Sequence, residues 1–375
     1  MIVRSLNQQI ENHMYRGKAI LIFGPRQSGK STLMKSLLTG KDHLYLNGDD
    51  VETREALTNT GTTRLKMIAG HHKLIFIDEA QRIPTIGLTI KIFTDQFPDI
   101  QVIATGSSSF ELLNTMNEPL TGRKYEYMLY PLSFTEMVGH HGLLKEKSLL
   151  EHRLVYGYYP GIISSPGEEK TLLRSLTDSY LYKDILMLDN IKKPALLEKL
   201  LRALALQLGS EVNYNELGEI IGANKQTVEK YIDLLVKCFV IFVLPALNRN
   251  ARNELRKGKK IYFYDNGVRN AIINDFKPLS NRSNTGALFE NFFITERMKY
   301  QHYKDIYCKQ YFWRTFQQQE IDLVEDTEDG LSAYELKWGK NQKARFPLTF
   351  TENYPGVKTH IINSNNFDEY LLDMK

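Results

Sequence analysis

The chain has 375 residues, of which 42% are hydrophobic and 25% are charged, proportions typical of globular proteins that exclude a disordered or fibrous chain. Its length predicts about two or three domains. Its net charge of +4 is too small to require a nucleic-acid partner by itself.

The sequence also lacks the patterns of export and membrane insertion. Its first residues turn polar too early for a signal peptide, and the apolar run at residues 238–247 is shorter than the roughly 20 residues that cross a bilayer. We therefore expect a cytoplasmic protein with no membrane partner. Cys238 and Cys308 lack metal-ligand spacing and are expected to be free thiols.

The first chemical motif lies between an apolar strand, residues 19–23, and a helical segment. It has the spacing GxxxxGKS, which is the phosphate-binding loop in the strand–loop–helix context that it requires. Backbone N–H groups of such a loop bind phosphates, Lys30 would contact the β- and γ-phosphates, and the Ser31 hydroxyl would coordinate Mg²⁺. The residues predicted to bind ATP are Gly24, Pro25, Arg26, Gln27, Ser28, Gly29, Lys30, Ser31 and Thr32.

Two later apolar strands end in residues suited to hydrolysing ATP. Residues 74–77 lead into Asp78, which can hold Mg²⁺ through water, and Glu79, which can orient or deprotonate the attacking water. The adjacent glutamate favours hydrolysis over kinase chemistry. The next strand ends near Ser107, which would lie beside the γ-phosphate and sense hydrolysis; a serine that caps an ordinary strand-to-helix turn is an equally good interpretation.

The segments GPRQSGKS, LIFIDEAQ, VIATGSSS and LTGRKYEYMLYPLSFTE, within residues 20–136, resemble those of a large prokaryotic family of AAA+-type P-loop ATPases. The resemblance implies ATP hydrolysis with Mg²⁺ and an arginine, supplied in cis or by a neighbour, that neutralises transition-state charge. Arg123 is the candidate, and Arg26 and Arg82 are alternatives. A homo-oligomeric ring and a monomer that closes on nucleotide both stay open.

The middle of the chain is predicted to be helical, with a Gly- and Pro-rich hinge or lid connection at residues 157–166. Helices at 215–221 and 225–235, separated by a turn at Gly222, form a helix-turn-helix. The basic run that follows a strand reads as the wing of a winged helix: Arg249, Arg252, Arg256, Lys257, Lys259 and Lys260.

The start of the second of these helices is the part that would meet phosphates or a DNA groove, through Lys225, Gln226, Thr227 and Lys230. Winged helices in ATPases of this type also serve as lids or protein contacts. The sequence leaves DNA binding and protein contact open as alternatives.

The last segment is predicted to have the element order αβββαβ. Asp329 and Gly330 form the turn of a hairpin that brings Asp322 alongside Glu335, and Lys337 shares a face with Glu335. Two carboxylates on neighbouring strands suit Mg²⁺ or Mn²⁺, and a nearby lysine can stabilise charge on a phosphodiester. The chemistry would be metal-assisted hydrolysis.

The spacing of Glu290, of EID ending at Asp322 and of ELK ending at Lys337 resembles the PD-(D/E)XK nuclease superfamily, and the ATPase family named above typically carries such a domain. The resemblance implies that Asp322 and Glu335 bind metal, that Lys337 assists and that Glu290 completes the site. The motif has a proline before its first carboxylate, whereas here the residues before Asp322 are Glu320 and Ile321. The alternative is that this domain is an inert remnant of a nuclease, in which the acidic and lysine side chains only protect the edge of a sheet.

We therefore predict a multi-domain α/β protein with four parts: an AAA+-type P-loop ATPase domain at residues 1–140, a helical lid or connector at 141–208, a winged-helix domain at 209–280 and an αβββαβ nuclease-like domain at 281–375. The predicted function is ATP hydrolysis by a protein that acts on DNA, with a Mg²⁺- or Mn²⁺-dependent nuclease site. The alternative is a nucleotide-gated switch whose non-catalytic nuclease-like domain binds a protein partner.

Overall fold

The computed structural model describes residues 2–107, 120–178, 193–248, 258–339 and 345–373. Its contacts divide the chain into two compact units, one formed by residues 1–132 with 237–239 and the other by residues 133–236 with 240–375. The predicted lid, helix-turn-helix and nuclease-like segments therefore lie mostly within one unit. The four finer domain boundaries stay a prediction. No described helix is both long enough and apolar enough to span a bilayer.

The first unit is built on a parallel sheet of five described strands in the order β2-β3-β4-β1-β5. β1 and β3 are buried along their whole length, as expected for central strands of a parallel sheet. Because parallel strands end at the same edge, the sheet brings together the residues that follow β1, β3 and β4. In chain order the elements are α1 (Leu6–His13), β1 (Ala19–Phe23), α2 (Lys30–Leu38), β2 (Leu44–Asn47), α3 (Val51–Leu57), α4 (Thr62–Ala69), β3 (Leu74–Asp78), a 3₁₀ turn (Ala80–Arg82), α5 (Ile86–Gln96), β4 (Gln101–Gly106) and β5 (Lys124–Met128).

The second unit begins with helices and a small antiparallel sheet in the order β6-β8-β7. In chain order these elements are α6 (Phe134–His141), α7 (Leu143–Ser148), α8 (Leu150–Tyr156), α9 (Pro160–Ser164), α10 (Glu169–Leu176), α11 (Pro194–Leu206), β6 (Glu211–Val212), α12 (Tyr214–Ile221), α13 (Lys225–Lys237), β7 (Ile241–Pro245), β8 (Lys259–Phe263) and α14 (Asn266–Ile272). The two helices predicted on either side of Gly222 are present as α12 and α13.

Local capping explains why the α12–α13 turn forms where the sequence predicts it. Gly222 has a φ of 73°, the left-handed conformation that ends a helix and favours glycine. The side chain of Asn224 then accepts hydrogen bonds from the backbone N–H and the hydroxyl of Thr227, each at 2.8 Å. This N-cap satisfies donors in the first turn of α13.

The segment predicted to be a hinge is packed into this unit. Tyr158, Tyr159 and Ile162 are each less than 5% exposed. The N–H of Tyr158 donates to the buried carboxylate of Asp265 at 2.6 Å. A side chain at Gly157 would collide with that carboxylate. This contact explains why residue 157 is glycine without any need for a hinge.

The rest of the unit follows the predicted αβββαβ order. Its elements are α15 (Thr285–Tyr303), β9 (Lys309–Arg314), β10 (Glu320–Thr327), β11 (Gly330–Lys337), α16 (Leu348–Asn353) and β12 (Lys358–Asn363). The sheet is mixed, in the order β12-β11-β10-β9, with β11 and β12 parallel and the other pairs antiparallel. Helix α16 begins at Leu348, six residues later than position 342 where the helix was predicted to start, and residues 340–344 lie outside the described residues.

The hydrophobic core of this sheet holds α16 in place. Trp313 and Phe350 meet edge to face with ring centroids 5.0 Å apart, beside Ile321, Val324 and Ala333. The fully buried side chains of this cluster come from both strands of the β10–β11 hairpin and from α16. The hairpin is thereby fixed against sliding, because a shift of one residue would move its apolar side chains out of the core.

Candidate functional site

The loop after β1 has the backbone geometry that phosphate binding requires. Gly24 and Gly29 have φ angles of 155° and 97°, and Gln27 between them is also left-handed, with φ of 56°. A Cβ at Gly24 would lie 2.1 Å from the carbonyl oxygen of Leu129, so this position admits only glycine without a shift of backbone. Lys30 is buried, and its Nζ donates to the carbonyls of Gly24 at 2.8 Å and Pro25 at 2.9 Å, which places the amine across the loop.

The predicted Mg²⁺ residues meet at the carboxyl ends of the strands. The Ser31 hydroxyl donates to Asp78 Oδ2 at 2.9 Å, and the buried hydroxyl of Thr105 donates to Asp78 Oδ1. Tyr45 on β2 borders the same carboxylate, and burial followed by the charge of Asp78 raises the pKa of its phenol. The two oxygen donors Ser31 and Asp78 are therefore side by side, with Asp78 oriented by Thr105.

Glu79 is held at the same edge in a strained conformation, with a φ of 49° that places it in the left-handed region. Its carboxylate accepts a hydrogen bond from Gln81 Nε2 and lies 3.5 Å from the hydroxyl of Ser107, to which Gln81 also donates at 2.9 Å. The lack of a side chain at Gly48 leaves room for the Glu79 backbone, since a Cβ at position 48 would lie 2.3 Å from the carbonyl oxygen of Glu79. Gln81 is a residue of this site that the sequence analysis missed.

The structure corrects the arginine prediction for a site within one chain. Arg123 directly precedes β5, its carbonyl accepts from the N–H of Ala19 at the start of β1, and its guanidinium contacts Asp95 at 2.5 Å. It therefore lies at the opposite end of the five-residue strand β1 from the phosphate loop, about 16 Å away at 3.3 Å per residue. Arg26 in the loop and Arg82 after β3 remain predictions, as does a role for Arg123 in a neighbouring copy.

Arg4 is a second residue that the sequence analysis missed. Its guanidinium is buried and donates to the carbonyls of Ser28 and Tyr130, both at 2.6 Å. The two bonds tie the phosphate loop to the segment that follows β5. Arg4 is thus a positioning residue for the loop, and no local sequence pattern marks it.

In the second unit, the structure brings Asp322, Glu335 and Lys337 together. The pairing of Leu323 with Tyr334 puts Asp322 and Glu335 next to each other on β10 and β11. Lys337 Nζ lies 3.0 Å from Glu335 Oε2 and 3.8 Å from Asp322 Oδ2. The N–H of Leu336 donates to Asp322 Oδ2 at 2.8 Å, which fixes this carboxylate against β11.

Glu290 is placed differently from the prediction. Its Oε1 accepts from the hydroxyl of Tyr262 at 2.5 Å and from Lys260 Nζ at 3.2 Å. Lys260 also lies 2.5 Å from Glu320 Oε1, and its side chain is only 1% exposed. Lys260 was predicted to lie in a basic wing, but its ammonium is buried among carboxylates. Lys259 of the same run is also on β8, and Arg249, Arg252, Arg256 and Lys257 lie outside the described residues.

The three predicted carboxylates do not form one compact ligand set. In the described part of the chain, the set of three ligand-type side chains whose ligand atoms all lie within 4.8 Å of one another is Asp42, His71 and His72, on the surface of the first unit. Asp322 and Glu335 thus form a pair beside Lys337, whereas Glu290 belongs with Lys260 and Tyr262.

Burial and mutual repulsion raise the pKa values of these carboxyls. Burial, and then the charge of Asp322, raises the pKa of Glu335 to about 7. Burial raises the pKa of Glu290 to about 7 even though Lys260 opposes the shift, and burial likewise raises the pKa of Asp322. For Lys260, burial alone would lower the pKa, but Glu290, Glu320 and Asp322 raise it above its ordinary value.

These shifts predict that the second unit becomes less stable as the pH rises when no metal ion is present. A carboxyl whose pKa rises from 4.5 in the unfolded chain to about 7 in the folded chain stabilises the fold below pH 4.5, and this contribution is lost as the pH passes about 7. Each such carboxyl changes the free energy of unfolding by at most about 1.4 kcal/mol per pH unit. In EDTA, the thermal unfolding midpoint of the second unit should fall between about pH 5 and pH 8.

The comparison that isolates this effect is Glu335→Gln, which should make the unfolding midpoint depend less steeply on pH. Glu328→Gln is the matched control, because Glu328 is exposed at the turn of the same hairpin. Identical pH dependences in the wild type and in Glu335→Gln would contradict the prediction.

Comparison with known proteins bears on each part of the chain. Residues 16–138 match a family described as an AAA domain, and residues 147–279 and 285–373 match two domains of unknown function, DUF8612 and DUF4143. A Walker-type ATPase of Pyrococcus abyssi has a similar fold, with a TM-score of 0.50 at 14% identity over 73% of this chain and 96% of that one. Residues 16–138 thus match an AAA domain by family model, and the chain shares its fold with a Walker-type ATPase.

Two curated relatives extend over more of the chain. An uncharacterised protein of Haemophilus influenzae is 26% identical over 276 residues, which cover 68% of each chain. An uncharacterised protein of Mycobacterium tuberculosis is 26% identical over 344 residues, which cover 89% of this chain and 73% of that one. The similarity thus reaches beyond the ATPase domain into the second unit.

The residues of the ATPase domain fit the ligands that such domains imply, ATP and Mg²⁺. A hydroxyl and a carboxylate 2.9 Å apart, Ser31 and Asp78, are the hard oxygen donors that Mg²⁺ prefers, and the glycine loop leads directly into α2. Bound Mg²⁺ would offset the negative charge of the phosphates. Glu79, held by Gln81 beside Ser107, stays the predicted base or orienting group for water in this domain.

Proposed function

We propose that this chain is an ATP-hydrolysing enzyme that acts on DNA and cuts phosphodiester bonds at a Mg²⁺- or Mn²⁺-dependent site in its second unit. The ATP half of the proposal is supported by the AAA-type domain and by the position of Glu79 next to the Ser31–Asp78 pair. The nuclease half depends on the cluster on β10 and β11.

The observation that carries the nuclease proposal is the placement of Asp322 and Glu335 side by side on paired strands, with the Lys337 ammonium 3.0 Å from one and 3.8 Å from the other. Two carboxylates can hold a hard divalent ion, which would supply activation of water and neutralisation of phosphate charge at this site. Lys337 would stabilise the negative charge that develops on the non-bridging oxygens of the phosphodiester. A charged sheet edge alone needs no such convergence of buried acids.

The arrangement of α11, β6, α12, α13, β7 and β8 supports a winged-helix assignment for the DNA-binding part. Lys225, Gln226 and Lys230 are exposed at the start of α13, where a recognition helix would face DNA. Thr227 instead uses its hydroxyl for the N-cap of the helix. Phosphate contacts by the two lysines would make binding weaken with salt.

Cleavage of end-labelled single-stranded, duplex and branched DNA by the full chain tests this function. We expect cutting in Mg²⁺ or Mn²⁺ that EDTA abolishes, and ATP hydrolysis that DNA stimulates. Metal-independent products would indicate a contaminant. The proposal would be rejected if DNA did not stimulate ATP hydrolysis and the DNA stayed uncut in both Mg²⁺ and Mn²⁺.

The second candidate is a nucleotide-gated switch in which the second unit binds a protein partner and cuts nothing. The observation that favours it is Lys260, a buried ammonium that already neutralises part of the carboxylate cluster. Under this alternative, ATP turnover is slow and the chain binds no divalent ion at Asp322 and Glu335. Metal titration therefore separates the two candidates.

A further inference from the structure

The carboxylate cluster of the second unit has a charge balance that limits how many metal ions it can take. Four carboxylates, Glu290, Glu320, Asp322 and Glu335, face two ammonium groups, Lys260 and Lys337, which leaves a net charge of −2 when all are ionised. Arg314 lies 3.4 Å from Glu320 and 3.6 Å from Glu211, so that adding these two neighbours, one positive and one negative, leaves the net charge unchanged. The remaining charge equals that of one divalent ion.

The geometry divides the cluster into two sides. Lys337 contacts Asp322 and Glu335, and its side chain is 32% exposed, so that it can move aside for an ion or a phosphate. On the other side, Glu290 Oε1 accepts hydrogen bonds from Lys260 Nζ and from the Tyr262 hydroxyl. The ammonium thus occupies the place where a metal ion between Glu290 and Glu320 would sit.

Lys260 is also fixed by the backbone that carries it. Strand β8 is the central strand of its sheet, where Lys260 pairs with Glu211 on β6 and with Leu244 on β7. Its ammonium is held by Glu290 at 3.2 Å and Glu320 at 2.5 Å, and turning it into solvent would leave both carboxylates without this ion pair. Lys260 differs in this respect from Lys337, whose side chain is 32% exposed.

We propose that Lys260 is a built-in cation of this site, so that the cluster holds one divalent ion, at Asp322 and Glu335, instead of the two ions of many nucleases. In two-metal sites the ions lie about 3.5–4 Å apart. The second ion would fall on the Glu290 and Glu320 side, where the lysine ammonium stands. The inference rests on the proposed metal site at Asp322 and Glu335.

Counting bound Mn²⁺ ions tests this inference without measuring activity. Calorimetric titration of the full chain is carried out without nucleotide in a background of Asp78→Asn, His71→Ala and His72→Ala, which removes the predicted metal site of the ATPase domain and the Asp42–His71–His72 set. We expect one ion in this protein and none after Asp322→Asn with Glu335→Gln. Replacing the built-in cation by Lys260→Met should raise the count to two, since the ammonium between Glu290 and Glu320 is then removed, while Arg314 stays 3.4 Å from Glu320.

Two further variants keep the test decisive. Lys259→Met is the matched control, because Lys259 is the neighbour on β8 and its ammonium lies over the Tyr214 ring, away from the cluster; its count should stay at one. Glu290→Gln should also keep the single ion at unchanged affinity, which tests the inference even if Lys260→Met does not fold. Circular dichroism and thermal unfolding check the fold of each variant.

The possible counts have distinct meanings. Two ions before any change at Lys260, one ion in a folded Lys260→Met variant, or loss of the ion in Glu290→Gln would overturn the inference. No ion in any variant would overturn it together with the proposed nuclease function. One ion that behaves as expected, in a protein that cuts no DNA, would support the inference and reject the nuclease function alone.

Discussion

Glu79→Gln is expected to lower kcat for ATP hydrolysis by about 10²–10⁴-fold, the range that a general base contributes. Glutamine keeps the size of the side chain and can still bond with Gln81 and Ser107, but it cannot accept a proton from the attacking water. The phosphate loop, Lys30 and the Ser31–Asp78 pair are unchanged, so the Kd for ATP should stay the same. Steady-state phosphate release and binding of a fluorescent ATP analogue measure the two quantities.

Two further variants define what the loss means. Lys30→Ala should lose both ATP binding and hydrolysis, because Lys30 is the cation predicted to contact the β- and γ-phosphates. Glu55→Gln, at an exposed position on α3, is the matched control and should behave like the wild type. If Glu79→Gln kept the wild-type kcat, another group would have to activate the water.

The geometry of the candidate ATP site was predictable because each of its parts is a local pattern. The phosphate loop needs glycine at positions of positive φ, and Gly24 and Gly29 have such angles. The acidic residues follow an apolar strand, and a parallel sheet brings the ends of such strands to one edge. Gln81 escaped notice because it acts through contacts with Glu79 and Ser107 that only the folded chain creates.

The misplacement of Arg123 has a physical cause that the sequence already contained. The catalytic candidates of this sheet follow their strands, whereas Arg123 comes directly before β5. In a parallel sheet the residue before a strand lies at the edge opposite to the residue after it. Strand direction thus excludes Arg123 from the ATP site of its own chain, whatever its motif resembles.

The carboxylate cluster was predictable in part. The hairpin turn sets the register of β10 and β11, and this register alone brings Asp322 to Glu335. Lys260 could not be placed in the same way, because it stands in a basic run that reads as a solvent-exposed wing. Its burial against Glu290 and Glu320 depends on how β8 packs next to α15 and β10, which no local pattern encodes.

Asp322→Ala is expected to abolish DNA cleavage while ATP hydrolysis stays at the wild-type rate. The change removes one of the two carboxylates of the proposed metal site, and the remaining Glu335 would then be the sole ligand at that position from β10 and β11. The site also loses the acceptor of the Leu336 N–H, so that β11 is held less firmly beside β10. Gel-resolved cleavage in Mn²⁺ and phosphate release in the same samples measure both activities.

Asp326→Ala is the matched control, because Asp326 lies on the same strand but pairs with Leu331 near the hairpin turn, away from the cluster. It should cut DNA like the wild type. If both variants lost DNA cleavage equally, the result would show that the strand tolerates no truncation. The more conservative Asp322→Asn keeps the shape of the side chain and would then show whether the carboxylate itself is needed for cleavage. Cleavage that survives in Asp322→Asn would remove the carboxylate pair from the mechanism, because an amide lacks the negative charge that a divalent ion requires of its main ligands.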